Sequence, residues 1–194
     1  IWLRRRQTAP PIAILQMNAV QKRLDSIVKE NNLKTQAVHQ LILGVLTASE
    51  AIRTLPLLQD EQLLKEQKQK FELANANYGA AWKTLNDVAL SASEQSNLAA
   101  VKSARDELEQ INAETVKLAL DSRVTEATDI ILNKAGGATS LLMAKLAVLQ
   151  DSGTQGAYIA ASDARKLATT IIAALSIVTL VAGILVAWLV TRAV

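Results

Sequence analysis

The sequence predicts an all-α protein, an antiparallel up-down-up-down four-helix bundle whose fourth helix continues into a transmembrane helix. Three observations predict it. Apolar residues recur at alternating steps of three and four through four successive stretches, the spacing that lines one face of a helix. The breaks between those stretches are short and carry helix-starting or helix-ending residues. Residues 167–190 contain no charged side chain, and at ~1.5 Å per residue that run is long enough to cross a ~30 Å hydrocarbon core. Composition agrees: 50% hydrophobic, 3% aromatic, 7 Gly and 3 Pro in 194 residues suit long helices better than a sandwich or barrel.

Residues 1–16 form an N-terminal segment of unclear role. Arg4, Arg5 and Arg6 resemble the basic start of a signal sequence. The stretch after them contains Pro10, Pro11, Gln16 and Asn18. It is too short and too polar to span a bilayer, and the proline pair is expected to interrupt any helix. The segment reads as one in which a first membrane helix is missing or altered. The sensor-sized bundle is assigned to residues 17–162.

Helix one is predicted over residues 17–57, with Val38, Leu41, Val45, Ala48, Ile52 and Leu55 on its seam. Asn31 and Lys34 fall in the same register, where they either set register or lie in a solvated gap. Pro56 ends the helix. Asp60 caps helix two, which carries Leu64, Phe71, Ala74, Tyr78, Ala81, Leu85 and Val88 to about residue 89. Tyr78 and Trp82 read as packing residues, with ligand stacking as the rarer alternative. Ser91 and Glu94 spell a capping box for helix three, which presents Val101, Ala104, Leu108, Ile111, Thr115 and Leu118 and ends near residue 120. Helix four starts near Val124 and meets no proline afterwards, although Gly136 and Gly137 weaken it locally. With ~30 residues each, the helices would be about 45 Å long. The transmembrane helix is assigned to residues 166–190 and the start of a cytoplasmic linker to 191–194. Trp188 lies near the far end of the span, at headgroup depth, and Thr179, Gly183 and Ala187 form a small-residue spacing that lets another helix approach.

Little in the chain suggests catalysis. There is no Cys and one His, His39, so thiolate chemistry, a His dyad and a cysteine or histidine metal site are not expected. No phosphate loop, nucleophile elbow or metalloprotease motif occurs. We expect no catalytic residue, no cofactor and no metal. A net charge of +3 with no basic face to concentrate it gives no reason to expect a nucleic-acid partner. The better candidate is Arg53, beside the seam residue Ile52 in the apolar tip half of helix one. A guanidinium there can hold a carboxylate by two hydrogen bonds. Ser49 lies one turn earlier on the same face, and Thr139 and Ser140 offer polar groups from helix four. The alternative is an Arg paired within the bundle to Glu50 or Asp60.

The arrangement resembles the four-helix-bundle sensor domain of bacterial methyl-accepting chemotaxis proteins, from about residue 17 to the end. The segments that carry the resemblance are LDSIVKEN at 24–31, AIRTLPLLQD at 51–60, DSRVTEATDIIL at 121–132 and LAVLQD at 146–151, followed by Arg165, the apolar run and LVTRAV at 189–194. The resemblance implies a receptor of the bacterial cytoplasmic membrane with its bundle periplasmic or extracellular. It also implies a homodimer formed through helix one, binding a small carboxylate or amino-acid-like ligand at the dimer interface near the tip. Arg53 matches an arginine position that contacts anionic ligands in the aspartate-receptor branch. Ser49 and Gly44 stand where that branch carries two further arginines, a departure that counts against aspartate itself. A cytoplasmic signalling domain is expected beyond Val194. The same sensor could serve a histidine kinase or diguanylate cyclase, and a membrane-tethered structural coiled coil is the alternative from another class.

Overall fold

The computed structural model describes residues 11–192, with side chains described for all of them except 11–17, 23, 175, 178–180, 182, 184–187 and 189–192. Among the described residues there is no strand. Five α-helices are present, in order: α1 (Pro11–Thr54), α2 (Glu61–Asp87), α3 (Ala92–Leu120), α4 (Val124–Ile130) and α5 (Gly136–Arg192). A 3-10 turn at Leu55–Leu57 succeeds α1, and a π-helical turn at Ile131–Ala135 joins α4 to α5. The fourth helix of the bundle is thus α4, the π turn and the first part of α5. The chain divides into two compact units, one of them Glu30–Gly156.

Local chemistry sets the boundaries of α2 and α3. Asp60 Oδ1 accepts from the backbone N–H groups of Gln62 (2.8 Å) and Leu63 (3.1 Å) and so starts α2. Ser91 and Glu94 form the full reciprocal capping box at the start of α3. At the other end of α3, Arg123 N donates to Leu118 O and Ser122 N to Ala119 O, a Schellman closure with Ser122 in the left-handed region at φ 58°. The start of α1 differs from expectation. The described helix already runs at Pro11, six residues before the expected start at Met17.

Within Glu30–Gly156, contacts between named residues give the topology. Gly44 of α1 meets Ala74 and Tyr78 of α2, and Glu50 meets Lys70, so α1 and α2 run antiparallel. Arg105 reaches Asn75, which sets α3 antiparallel to α2. Ser49 meets Thr139 while Val38 and Leu149 share a core, so α5 runs antiparallel to α1. The main core takes residues from all four helices: Leu41 and Val45, Tyr78 and Leu85, Val101 and Leu108, Leu142 and Leu146 among them. A second cluster at the turn end joins Leu55, Leu118, Ala119, Ala127 and Ile130. Gly44 permits the close approach of α1 and α2, since a Cβ there would lie 3.1 Å from Tyr78 Cβ and 3.2 Å from the carbonyl oxygen of Ala74. It faces α2 inside the core, so it is placed by packing.

The other unit contains the described residues 11–29 and 157–192. Ala164 is buried, whereas Tyr158, Ile159, Leu167, Ile172, Ile177, Val181 and Trp188 are exposed. Among the described residues no helix is long and apolar enough to cross a membrane. The span expected at 166–190 falls in part on residues outside those whose side chains are described, as do Thr179 and Ala187 of the small-residue spacing. The backbone of α5 is helical through that run.

Candidate functional site

The residues singled out on α1 and helix four meet near the turn end of the bundle. Ser49 Oγ and Thr139 Oγ1 lie 3.4 Å apart, both half-buried, with either hydroxyl able to donate. Arg53 is one turn beyond Ser49 on α1 and exposed. The two carboxylates that could have claimed it are committed elsewhere: Glu50 pairs with Lys70 at 3.0 Å, and Asp60 caps α2. Among the described residues Arg53 makes no hydrogen bond or ion pair. Ser140 is exposed and its hydroxyl donates to Gly136 O at 2.9 Å, so it serves its own helix and does not join the Ser49–Thr139 pair.

Arg53 belongs to an outward stripe on α1 that the core seam does not use. Leu43 (41% exposed), Leu46 (49% exposed), Glu50 and Arg53 succeed one another along α1 at steps of three, four and three, and Leu57 (71% exposed) follows four residues later in the 3-10 turn. That is a second heptad-like seam, apolar at three of five positions, on a helix whose other face already packs in the bundle.

A family model described as a four helix bundle sensory module for signal transduction matches residues 12–168. The chain belongs to that family, the sensory module of methyl-accepting chemotaxis proteins. No curated protein and no solved structure is a significant match. Membership accounts for four long helices with short turns.

Away from this patch, the module holds polar groups in its interior that periodicity did not reveal. Lys34 donates to both carboxylate oxygens of Glu94, at 2.9 and 3.1 Å, linking α1 to α3. Its place on the seam is thereby explained. Burial pushes the Glu94 carboxyl up, but the Ser91 backbone N–H, the Lys34 ammonium and the Ser91 hydroxyl together hold it below the usual carboxylate range. Asn112 and Thr115 are buried on α3; the Thr115 hydroxyl donates to Ile111 O, while Asn112 Nδ2 has no partner. Arg105 is buried between α2 and α3. No group of three or more His, Cys, Asp or Glu able to hold a metal occurs among the described residues.

Proposed function

We propose that the module is the sensor of a transmembrane chemoreceptor and binds a small organic anion between two copies of the chain. Arg53 carries the reading. It is exposed and, among the described residues, makes no hydrogen bond or ion pair although carboxylates flank it in sequence, as a group reserved for an anion from outside would be. Ser49 and Thr139 supply hydroxyls beside it. The second copy docks along the outward stripe of α1, where Leu43, Leu46 and Leu57 provide apolar contact on either side of Arg53. Ligand binding then shifts the arrangement of α1 against helix four only by as much as it favours one arrangement over the other.

The signal passes along α5 into a membrane span at 166–190, with the bundle periplasmic or extracellular and the output domain beyond Val194. The uncharged sequence of that run supports the span. So do the exposed Leu167, Ile172, Ile177, Val181 and Trp188, an apolar surface that lipid would cover. A thermal-shift screen of the chain against organic acids and amino acids tests the proposal. A ligand at ~100 times its dissociation constant stabilises the folded form by about 2.7 kcal/mol. The expected result is a saturable upward shift with one class of carboxylate. No shift with any member, from a folded and dimeric sample, contradicts it.

A further inference from the structure

The groove between α2 and α3, on helices that take no part in the Arg53 patch, holds charges that the bundle leaves uncompensated. Arg105 is only 7% exposed, yet among the described residues no carboxylate lies within ion-pairing distance of it. Its guanidinium carbon sits 4.6 Å above the centre of the Tyr78 ring, and Nη2 donates to Asn75 Oδ1. Those contacts orient the group without neutralising it, and buried charges in folded proteins are ordinarily paired. On the same helix Lys102 and Asp106 neutralise one another at 2.6 Å. Glu109, one turn beyond Arg105, has no ion-pair partner among the described residues. Lys102, Arg105, Asp106 and Glu109 all line one groove. Once Lys102 and Asp106 are matched, the buried Arg105 cation and the exposed Glu109 anion remain.

The rest of the lining is Asn75, Tyr78, Gly79 and Trp82. Trp82 stacks on Tyr78 with ring centroids 6.2 Å apart and planes 11° from parallel. Gly79 lies between them in sequence and also lines the groove, and a Cβ placed on it would meet nothing within 4 Å. The Tyr78 hydroxyl is buried with no hydrogen-bond partner. The free volume is about 240 Å³, room for a molecule of amino-acid size and far too little for a folded partner.

We propose that this groove is a second small-molecule site, built for a zwitterionic amino acid with an aromatic or apolar side chain. The carboxylate meets the Arg105 guanidinium as a charge-assisted hydrogen bond, the ammonium meets Glu109, and the side chain lies over Gly79 against Trp82. A simple anion would leave Glu109 unmatched and facing it, and a simple cation would do the same to Arg105. The pair of opposite charges is what selects a zwitterion.

Titration calorimetry on the full 194-residue chain in detergent micelles tests this with L-phenylalanine, 3-phenylpropanoate, which lacks the ammonium, and phenethylamine, which lacks the carboxylate. L-Phenylalanine is expected to bind saturably and the two truncated compounds at least tenfold more weakly. Gly79→Phe fills the groove from an open position and is expected to abolish binding while the helical signal and melting temperature are retained. Glu109→Gln, on an exposed face, is expected to weaken L-phenylalanine at least fivefold and to strengthen 3-phenylpropanoate, whose carboxylate no longer faces a like charge. Absence of saturable binding by L-phenylalanine overturns the proposal. So does binding that survives Gly79→Phe, which would place the amino acid outside this groove.

Discussion

Glu94 is held by three groups at once: the Ser91 backbone N–H at 2.7 Å, the Ser91 hydroxyl through the cap, and the Lys34 ammonium. The Glu94→Gln variant separates these roles, because a glutamine can still accept from the Ser91 N–H but offers Lys34 no charge. At neutral pH it is expected to cost about 1.5–3 kcal/mol, the range for a hydrogen bond to a charged group. The pH dependence comes from the lowered carboxyl pKa. Since the unfolded chain holds its Glu protons up to about pH 4.3, the wild-type advantage is complete above that value. It disappears as pH falls through the lower folded value. Urea unfolding of both proteins between pH 2.5 and 7 measures this. An advantage that persists at the acid end contradicts the ion-pair account. The two capping residues were legible in the sequence because a cap is satisfied within three residues. The partner of Lys34 was not, since it lies 60 positions away and only the packed bundle brings it near. Arg105 and Asn112 were illegible for the same reason. Each shares a helix face with leucines, and nothing local distinguishes a polar residue inside the core from one at its edge.

At the scale of elements, the fourth helix of the bundle carries the main departure from regular periodicity. Its buried positions run Ala127, Ile130, Ala135, Ala138, Leu142, Leu146 and Leu149, and the single step of five, from Ile130 to Ala135, coincides with the π turn. One extra residue is accommodated there by widening the turn, which keeps both flanking stretches facing the core. Leu132 lies inside the turn and is 74% exposed. Deleting it should restore an ordinary step of four and leave stability within about 1 kcal/mol of the wild type. Deleting Leu141 from the regular part of α5 should misplace every buried residue on one side of it and abolish cooperative melting. Circular dichroism melts of the two deletions decide this; equal damage from both would mean that the π turn is not a tolerated insertion. The sequence marked a local weakness at Gly136 and Gly137, just after the turn, because glycine lowers helix propensity. It did not mark the π turn itself, because Ile131 and Leu132 look like further seam residues until their burial is known. The ends of α2 and α3 fell close to their expected positions, where Asp60, Ser91 and Ser122 act locally. The start of α1 was placed too late, at residue 17, because Pro11, already helical, was read as a helix breaker.

For the whole molecule, the proposed function turns on which surface of the sensory module meets a second copy. The outward stripe of α1 went unread because Leu43, Leu46 and Leu57 flank a complete core seam, and periodicity alone does not say that a helix has two packed faces. The chain has no Cys, so a single engineered thiol reports on this surface without background. Leu46→Cys is expected to form a disulfide-linked dimer on mild oxidation, whereas Leu73→Cys, at a 63% exposed position on α2, should remain monomeric under reducing-agent-free electrophoresis. Equal cross-linking at both positions would remove the preference for α1. The long apolar run and the bundle were legible because each rests on many residues in succession. The ligand was not, because it depends on a few side chains and on which of them the fold leaves unpartnered. The decisive experiment is therefore calorimetric titration of the wild type and Arg53→Ala with the carboxylate that gives the largest thermal shift. Loss of a charge-assisted hydrogen bond at about 1.5–3 kcal/mol corresponds to roughly 10- to 100-fold in affinity. Arg53→Ala is expected to show a loss of that size with an unchanged melting temperature in the absence of ligand. Unaltered affinity in this variant would take Arg53 out of the site and the anion-sensor reading with it.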